Sequence, residues 1–150
     1  MKFVIQRVKS ASVTVENNIT GKIDNGFLVL IGITNSDTKE IANAMVKKLI
    51  NLRVFSDYQD KMNLSIREVK GSLLLVSQFT LYADCSHGNR PDFTLAAKRD
   101  FANELYEYII SECEKYSVPV QTGKFGADMK VNLLNDGPVT IILDSNEIIK

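Results

Sequence analysis

Two short segments hold the residue types that could do chemistry. Ser77-Gln78-Phe79-Thr80-Leu81 sets two hydroxyls and a carboxamide directly after Leu73-Leu74-Leu75-Val76, a run apolar enough to be a buried strand. No Gly or Pro separates the two. Buried polar groups cost free energy unless they are partnered, so these side chains either bond to neighbouring backbone or build a site on a rigid strand. The second segment is Asn135-Asp136-Gly137-Pro138-Val139-Thr140. It reads as a turn into a terminal strand, because Pro138 cannot donate to a sheet ladder and belongs at a strand start or an edge.

The residues that are missing narrow the chemistry. There is no GxSxG elbow, HExxH, Walker loop or GxGxxG. The single histidine, His87, falls in a polar loop and reads as solvated. Cys85 and Cys113 lack CxxC spacing, and Cys85 with His87 is too little for a metal site. Asp57, Asp60, Glu104 and Glu107 fall in loops or on helix faces, as solvated carboxylates do. An enzyme without a recognisable base is restricted to positioning and oxyanion stabilisation. Neither a metal nor a cofactor is implied.

At 150 residues, the chain is the size of one domain, residues 1–150, and can bury a core without staples. Eighteen basic and eighteen acidic residues leave no formal net charge, which argues against a broad basic face. A short single-stranded nucleic-acid end could still dock, through pockets and stacking. No apolar run approaches the roughly 18 residues of a membrane span. Gln6, Arg7 and Lys9 interrupt the N-terminal apolar stretch too early for a signal peptide, so a cytoplasmic location is expected.

The elements that must position these segments follow from periodicity. Phe3 to Lys9 and Ala11 to Glu16 alternate as strands. Asn17-Asn18 offers a turn into Ile19–Asp24, and Asn25-Gly26 is a hairpin signal before Phe27–Ile31. Asp37 with Glu40 resembles a capping box opening a helix whose apolar face is Ile41, Met45, Leu49 and Leu52. Arg53–Phe55 is a short strand, and Val69 to Leu81 is a long one. Phe93, Ala97, Phe101, Leu105 and Tyr108 repeat at helical spacing to about Lys115. Val118–Gln121, Met129–Leu134 and Val139–Leu143 are strands. This order gives an α+β fold: a mostly antiparallel, barrel-like sheet with two packed helices. The short strand signals at both termini suit a sheet that curls or is completed by another subunit.

Taken together, Ser77–Leu81 and Gly137-Pro138-Val139-Thr140 resemble the two signature motifs of the D-aminoacyl-tRNA deacylases, the common bacterial and eukaryotic type. Gln6-Arg7-Val8, Gly88-Asn89-Arg90-Pro91 and Gly123–Met129 extend the likeness along the whole chain. One departure is Ser86-His87 before Gly88, where many relatives carry a Lys; this would weaken a phosphate contact and leave the chemistry intact. The intact Ser77–Leu81 motif resembles the strict enzymes, not the relative with a trans Gly-Pro and relaxed chiral choice.

The resemblance implies a homodimer that hydrolyses the ester between a D-amino acid and the 3′-terminal ribose of tRNA. The active site would lie at the subunit interface, the strand motif of one chain meeting a cis Gly137-Pro138 from the other. Carbonyls of Gly137 and Pro138 would form a chirality filter that excludes L side chains and admits achiral glycine. Phe79 and Thr80 N–H groups would face the ester oxygen, Gln78 would orient ribose or ester, and Ser77 would support them. The ribose 2′-hydroxyl would assist water, leaving the Thr80 hydroxyl as a positioning group instead of a nucleophile. Phe125 and Met129, with Ala102, would form the pocket for the terminal adenine, although core packing accounts for the first two equally simply. Arg7 would hold the Gly-Pro turn. Two rival readings are a non-catalytic RNA- or nucleotide-binding module on the same fold and a general esterase.

Overall fold

A single strand, β1 (Lys2–Val15), carries the whole N-terminal alternation that the sequence pattern divides in two. In the computed structural model, which describes residues 1–149, it pairs along one side with β2 (Asn18–Ile23) and then β3 (Gly26–Gly32). The hairpin turn is Glu16-Asn17, both at positive φ (49° and 64°), as a tight turn of this kind requires. Asn25-Gly26 is not a hairpin turn. Ala11 faces Ile23 and Val8 faces Gly26, one unbroken register, so β2 and β3 follow each other along β1 as a bent strand.

β4 (Phe55–Ser56) and β5 (Met62–Leu64) form a small separate hairpin. β6 (Ser72–Ser77) and β7 (Val120–Thr122) extend the main sheet beyond β3, and β8 (Lys130–Asp144) pairs with the other side of β1. The β3–β6 and β6–β7 pairings are parallel, so the sheet is mixed and the mostly antiparallel expectation is corrected. A long connection between β3 and β6, containing the first helix, makes the parallel crossover possible. Gly21 of β2 lies so close to β7 that a Cβ there would stand 2.4 Å from the Thr122 carbonyl oxygen. The sheet therefore curls into a nearly closed barrel.

Three helices accompany it: α1 (Lys39–Ile50), α2 (Arg99–Glu114) and the short α3 (Ser145–Ile148), one more than the pattern predicts. Thr38, not Asp37, caps α1 by accepting from the Ile41 N–H. Asp37 is buried and instead accepts from the Met1 α-ammonium (2.7 Å) and the Thr34 N–H (2.8 Å). α2 begins six residues later than Phe93. The residues before it are tied to the chain after β3, with Ala97 N–H donating to the Ile33 carbonyl and Thr34 Oγ1 to the Leu95 carbonyl.

The core has two sides because strand side chains alternate. Phe27, Val29, Ile31, Leu73 and Leu75 face Met45, Leu49 and Ile50 of α1 and Leu105, Tyr106 and Ile109 of α2. Leu28, Leu74 and Val76 face the barrel interior with Val8, Ala11, Val13 and Ile23. Strands β3 and β6 are thus covered on both faces, which is why they read as unbroken apolar runs. Each fully buried side chain of this size stabilises the fold by about 1.5–3 kcal/mol, so β3 and β6 make a stiff platform for whatever is built at their ends.

Candidate active site

β6 is shorter than its sequence implies, and its end creates the site. The strand stops at Ser77 because its partner β3 stops at Gly32; the last bond is from the Gln78 N–H to the Ile31 carbonyl at 2.8 Å. The chain then turns through a 3₁₀ segment, Phe79–Tyr82. The polar tail is therefore not buried: Ser77 and Gln78 are half-buried, and Phe79 and Thr80 are exposed. As the first residues of that turn, Phe79 and Thr80 have N–H groups without an intrahelical acceptor. Among the described residues neither donates a hydrogen bond. Gln78 Nε2 donates to Thr80 Oγ1. A carboxamide is not a base, so nothing in this contact activates the Thr80 hydroxyl.

Beside this turn lies a cleft of about 580 Å³, within the range of small-molecule sites. Ser77, Gln78 and Phe79 form one wall, and Phe125, Met129 and Ala102 line it with Ile31, Ala97 and Val131. Thr80 is not in the lining. Phe125 packs on Tyr106 with ring centroids 5.8 Å apart, and the Tyr106 hydroxyl donates to the Leu75 carbonyl at 2.8 Å. Burial pushes the Tyr106 phenol well above its ordinary pKa, so it stays a neutral donor that props the cleft wall. Phe79 meets Phe93 edge to face at 5.0 Å, both partly exposed at the mouth. Phe93, Arg99 and Asp128 also line the cleft and were not singled out from the sequence. An apolar residue left exposed just before an amphipathic helix was the available signal for Phe93. No group of three or more His, Cys, Asp or Glu side chains converges among the described residues.

The second motif stands elsewhere. Asn135–Pro138 is not a turn between two strands but an outward bulge within β8. Gln6 faces Thr140 and Val8 faces Asn135, so two steps along β1 match five along β8. Pro138 has no N–H to miss from the ladder, and the Gly137–Pro138 peptide bond is cis. Gly137 has φ +145°, and a Cβ there would lie 2.7 Å from Val139 Cγ2 and 2.9 Å from the Val139 nitrogen. The Asn135 side chain replaces the absent sheet partner, accepting from the Val139 N–H (2.8 Å) and donating to the Val139 carbonyl (3.1 Å). Arg7, buried, braces the bulge from behind. Its Nε donates to the Asp136 carbonyl at 2.9 Å and its Nη1 to the Val54 carbonyl at 2.6 Å.

Within one chain the two motifs do not meet. Gly137 bulges opposite Arg7, whose row runs through Phe27 to Leu73, while Ser77 lies four residues further along β6. Three strand spacings of about 4.8 Å and four residues at about 3.3 Å put them on the order of 20 Å apart. The structure thus gathers Ser77, Gln78, Phe79, Ala102, Phe125 and Met129 into one cleft and leaves Arg7, Gly137 and Pro138 at another place.

Comparison with known proteins gives one family and one architecture. Residues 4–144 match the family model described as D-Tyr-tRNA(Tyr) deacylase. The chain is 51% identical over 148 residues to the D-aminoacyl-tRNA deacylase of Thermosipho africanus, covering 99% of each. It is 54% identical over 147 residues to that of Clostridium botulinum, covering 98% of this chain and 99% of the other. Among solved structures it is similar to a c-Myc DNA unwinding element binding protein, with TM-score 0.90, 43% identity and coverage of 96% and 98%. A probable eukaryotic D-amino acid tRNA deacylase shares the fold at TM-score 0.79, with 17% identity and coverage of 95% and 97%.

Proposed function

The chain belongs to the D-Tyr-tRNA(Tyr) deacylase family, and from that premise we propose that it hydrolyses the ester between a D-amino acid and the 3′-terminal ribose of tRNA. The observation that carries this reading is the cleft at the end of β6. It is nucleoside-sized and aromatic-walled, it stands beside two unused backbone N–H groups, and the carboxylate in its lining, Asp128, is paired with Lys130. Water adds to the ester carbonyl and the ribose 3′-oxygen leaves with a proton. Phe79 and Thr80 N–H groups receive the developing oxyanion, and Gln78 orients the ribose or the ester. The adjacent 2′-hydroxyl of the substrate assists the attacking water. Phe125 and Met129 hold the terminal adenine by stacking and sulfur contact.

Chiral selection, in this reading, comes from the Gly137-Pro138 bulge of a second copy. The intrachain separation of the motifs supports it, as does the character of β8. Its outer edge carries the exposed Leu134 and Ile142, 60% and 66% accessible, on either side of the bulge. Paired as a homodimer, each chain would present its bulge to the other's cleft. Backbone carbonyls facing the α-carbon reject one hand without reading the side chain, so glycyl-tRNA is admitted too. The enzyme acts in the cytoplasm, where its substrate is made; no helix among the described residues is long and apolar enough to cross a membrane.

The test uses D-tyrosyl-, L-tyrosyl- and glycyl-tRNA in parallel. D-tyrosyl- and glycyl-tRNA should decay far faster than in buffer and the L-ester should not; equal decay with and without protein ends the reading. A 2′-deoxy terminal adenosine should be a poor substrate, and full activity on it would remove the 2′-hydroxyl step. Gly137→Ala should lower discrimination against the L-ester. Sedimentation showing a monomer at working concentration with full activity would exclude the shared site. The second reading, a nucleic-acid-binding module without catalysis, draws on the name of the c-Myc DNA unwinding element binding protein. It predicts tight binding of the tRNA end with no acceleration of ester loss.

A further inference from the structure

We infer that Arg99 is a phosphate-reading residue, holding the phosphodiester that joins the terminal adenosine of the substrate to the nucleotide before it. The inference rests on the function proposed above and adds a subsite to it. Arg99 lines the same cleft as Phe125 and Met129. Its guanidinium lies over Gly126: a Cβ on that glycine would stand 2.5 Å from Nη2, 3.0 Å from Cζ and 3.5 Å from Nε. Gly126, at φ +74°, thus leaves room for the whole fork against the cleft wall.

The fork has no occupation of its own. Among the described residues it makes no hydrogen bond and no ion pair, whereas Asp128, the other charge in the lining, is engaged by Lys130 at 3.0 Å. The backbone just before Arg99, by contrast, is fixed. Ala97 N–H donates to the Ile33 carbonyl (2.9 Å), and Lys98 N–H to Asn35 Oδ1 (3.2 Å), just before α2 begins. An exposed, unpaired guanidinium that follows an anchored stretch of backbone and lies at a cleft wall is suited to bidentate recognition of a phosphate. A chain with eighteen basic and eighteen acidic residues has no general field to hold a polyanion, so an individual placed cation has to do it. With the adenine placed against Phe125 and Met129, Arg99 is the one cation among the lining residues that can meet the 5′-phosphate of that nucleoside.

The experiment compares D-tyrosyl-tRNA with 3′-O-(D-tyrosyl)adenosine, which has the ester and the base but no phosphate. Arg99→Gln should raise KM for the tRNA ester about tenfold with little change in kcat, the loss expected of one charge-assisted contact. The nucleoside ester should change less than about twofold, and it doubles as the control for folding. Arg99→Lys should recover part of the loss through charge alone. The salt dependence of log KM for the tRNA ester should become shallower by about 0.7, one single-stranded phosphate contact. Equal losses on both substrates, or none on tRNA, overturn the inference while leaving the deacylase reading intact. If wild-type protein hydrolyses neither ester, it is the deacylase reading that has failed.

Discussion

The cleft at the end of β6 and the bulge in β8 are opposites in construction. The cleft is concave, made where a strand stops, and several donors in or beside it are left unused: two backbone N–H groups and the Arg99 fork. The bulge is convex and exposed, yet it is fully braced, with Asn135 closing it from within and Arg7 from behind. One region is held rigid by apolar platform strands, the other by partly buried hydrogen bonds to side chains. On the function proposed above, the unfilled donors would receive the substrate and the braced projection would insert into a second copy.

The comparison breaks most visibly at Arg7. Arg7→Ala removes two hydrogen bonds from a buried cation and leaves the Val54 and Asp136 carbonyls without it. Stability should fall by about 4 kcal/mol, read from urea midpoints, and the D/L preference should fall with it. If discrimination survived intact, bracing the bulge would have no part in selection. The matching change in the cleft is smaller. Phe125→Ala should raise KM for D-tyrosyl-tRNA about tenfold to a hundredfold, as loss of one stacking platform does, with the D/L ratio unchanged. A changed ratio would mean that the two regions are not separable.

Alkaline pH acts on the core beneath α2. Burial, with lesser help from Glu112 and Glu114, pushes the Cys113 thiol on α2 up to about 12. Above about pH 9 the unfolded chain loses this proton while the folded chain keeps it, so the unfolded state binds fewer protons and stability falls. Between pH 9 and 10 the loss is at most about 1.4 kcal/mol; below about pH 7 this group contributes almost no slope. Urea midpoints at pH 8 and 10 measure it, and Cys113→Ala should reduce the difference, with the buried Tyr106 phenol supplying part of the remainder, at the cost of a small cavity. The smallest effect belongs to the residue that looks most reactive. Thr80→Ala should keep kcat within about tenfold and stability within about 0.5 kcal/mol, because its hydroxyl is exposed and its partner is an amide. Complete loss of turnover would restore Thr80 as nucleophile.

Much of the architecture was legible in the sequence, and the errors share one cause. Strands β3 and β6 announced themselves because burial on both faces leaves no polar position. The core of α1 was readable at Met45 and Leu49 from helical spacing. Asn25-Gly26 and Asn135–Pro138 were misread as reversals because local turn chemistry does not show whether a chain turns back or merely bends. That depends on which strand lies alongside: β1 continues past both places and keeps the register of one while absorbing the excess of the other. Asp37 was misread as a cap because its true partner, the Met1 ammonium, is 36 residues away.

By itself the sequence determined the composition of the site: a polar tail after an apolar strand, a Gly-Pro pair, and no base. Residue identity limits which reactions are possible, and that limit needs no coordinates. Tertiary structure alone decided how those parts are distributed. β6 ends where its partner β3 ends, which turns Phe79 and Thr80 outward and opens the cleft. Three strand spacings and four residues along β6 separate Ser77 from Gly137, and the fold of α2 brings Arg99 over Gly126. Pairing and register are long-range contacts, and no local pattern along the chain encodes their distances.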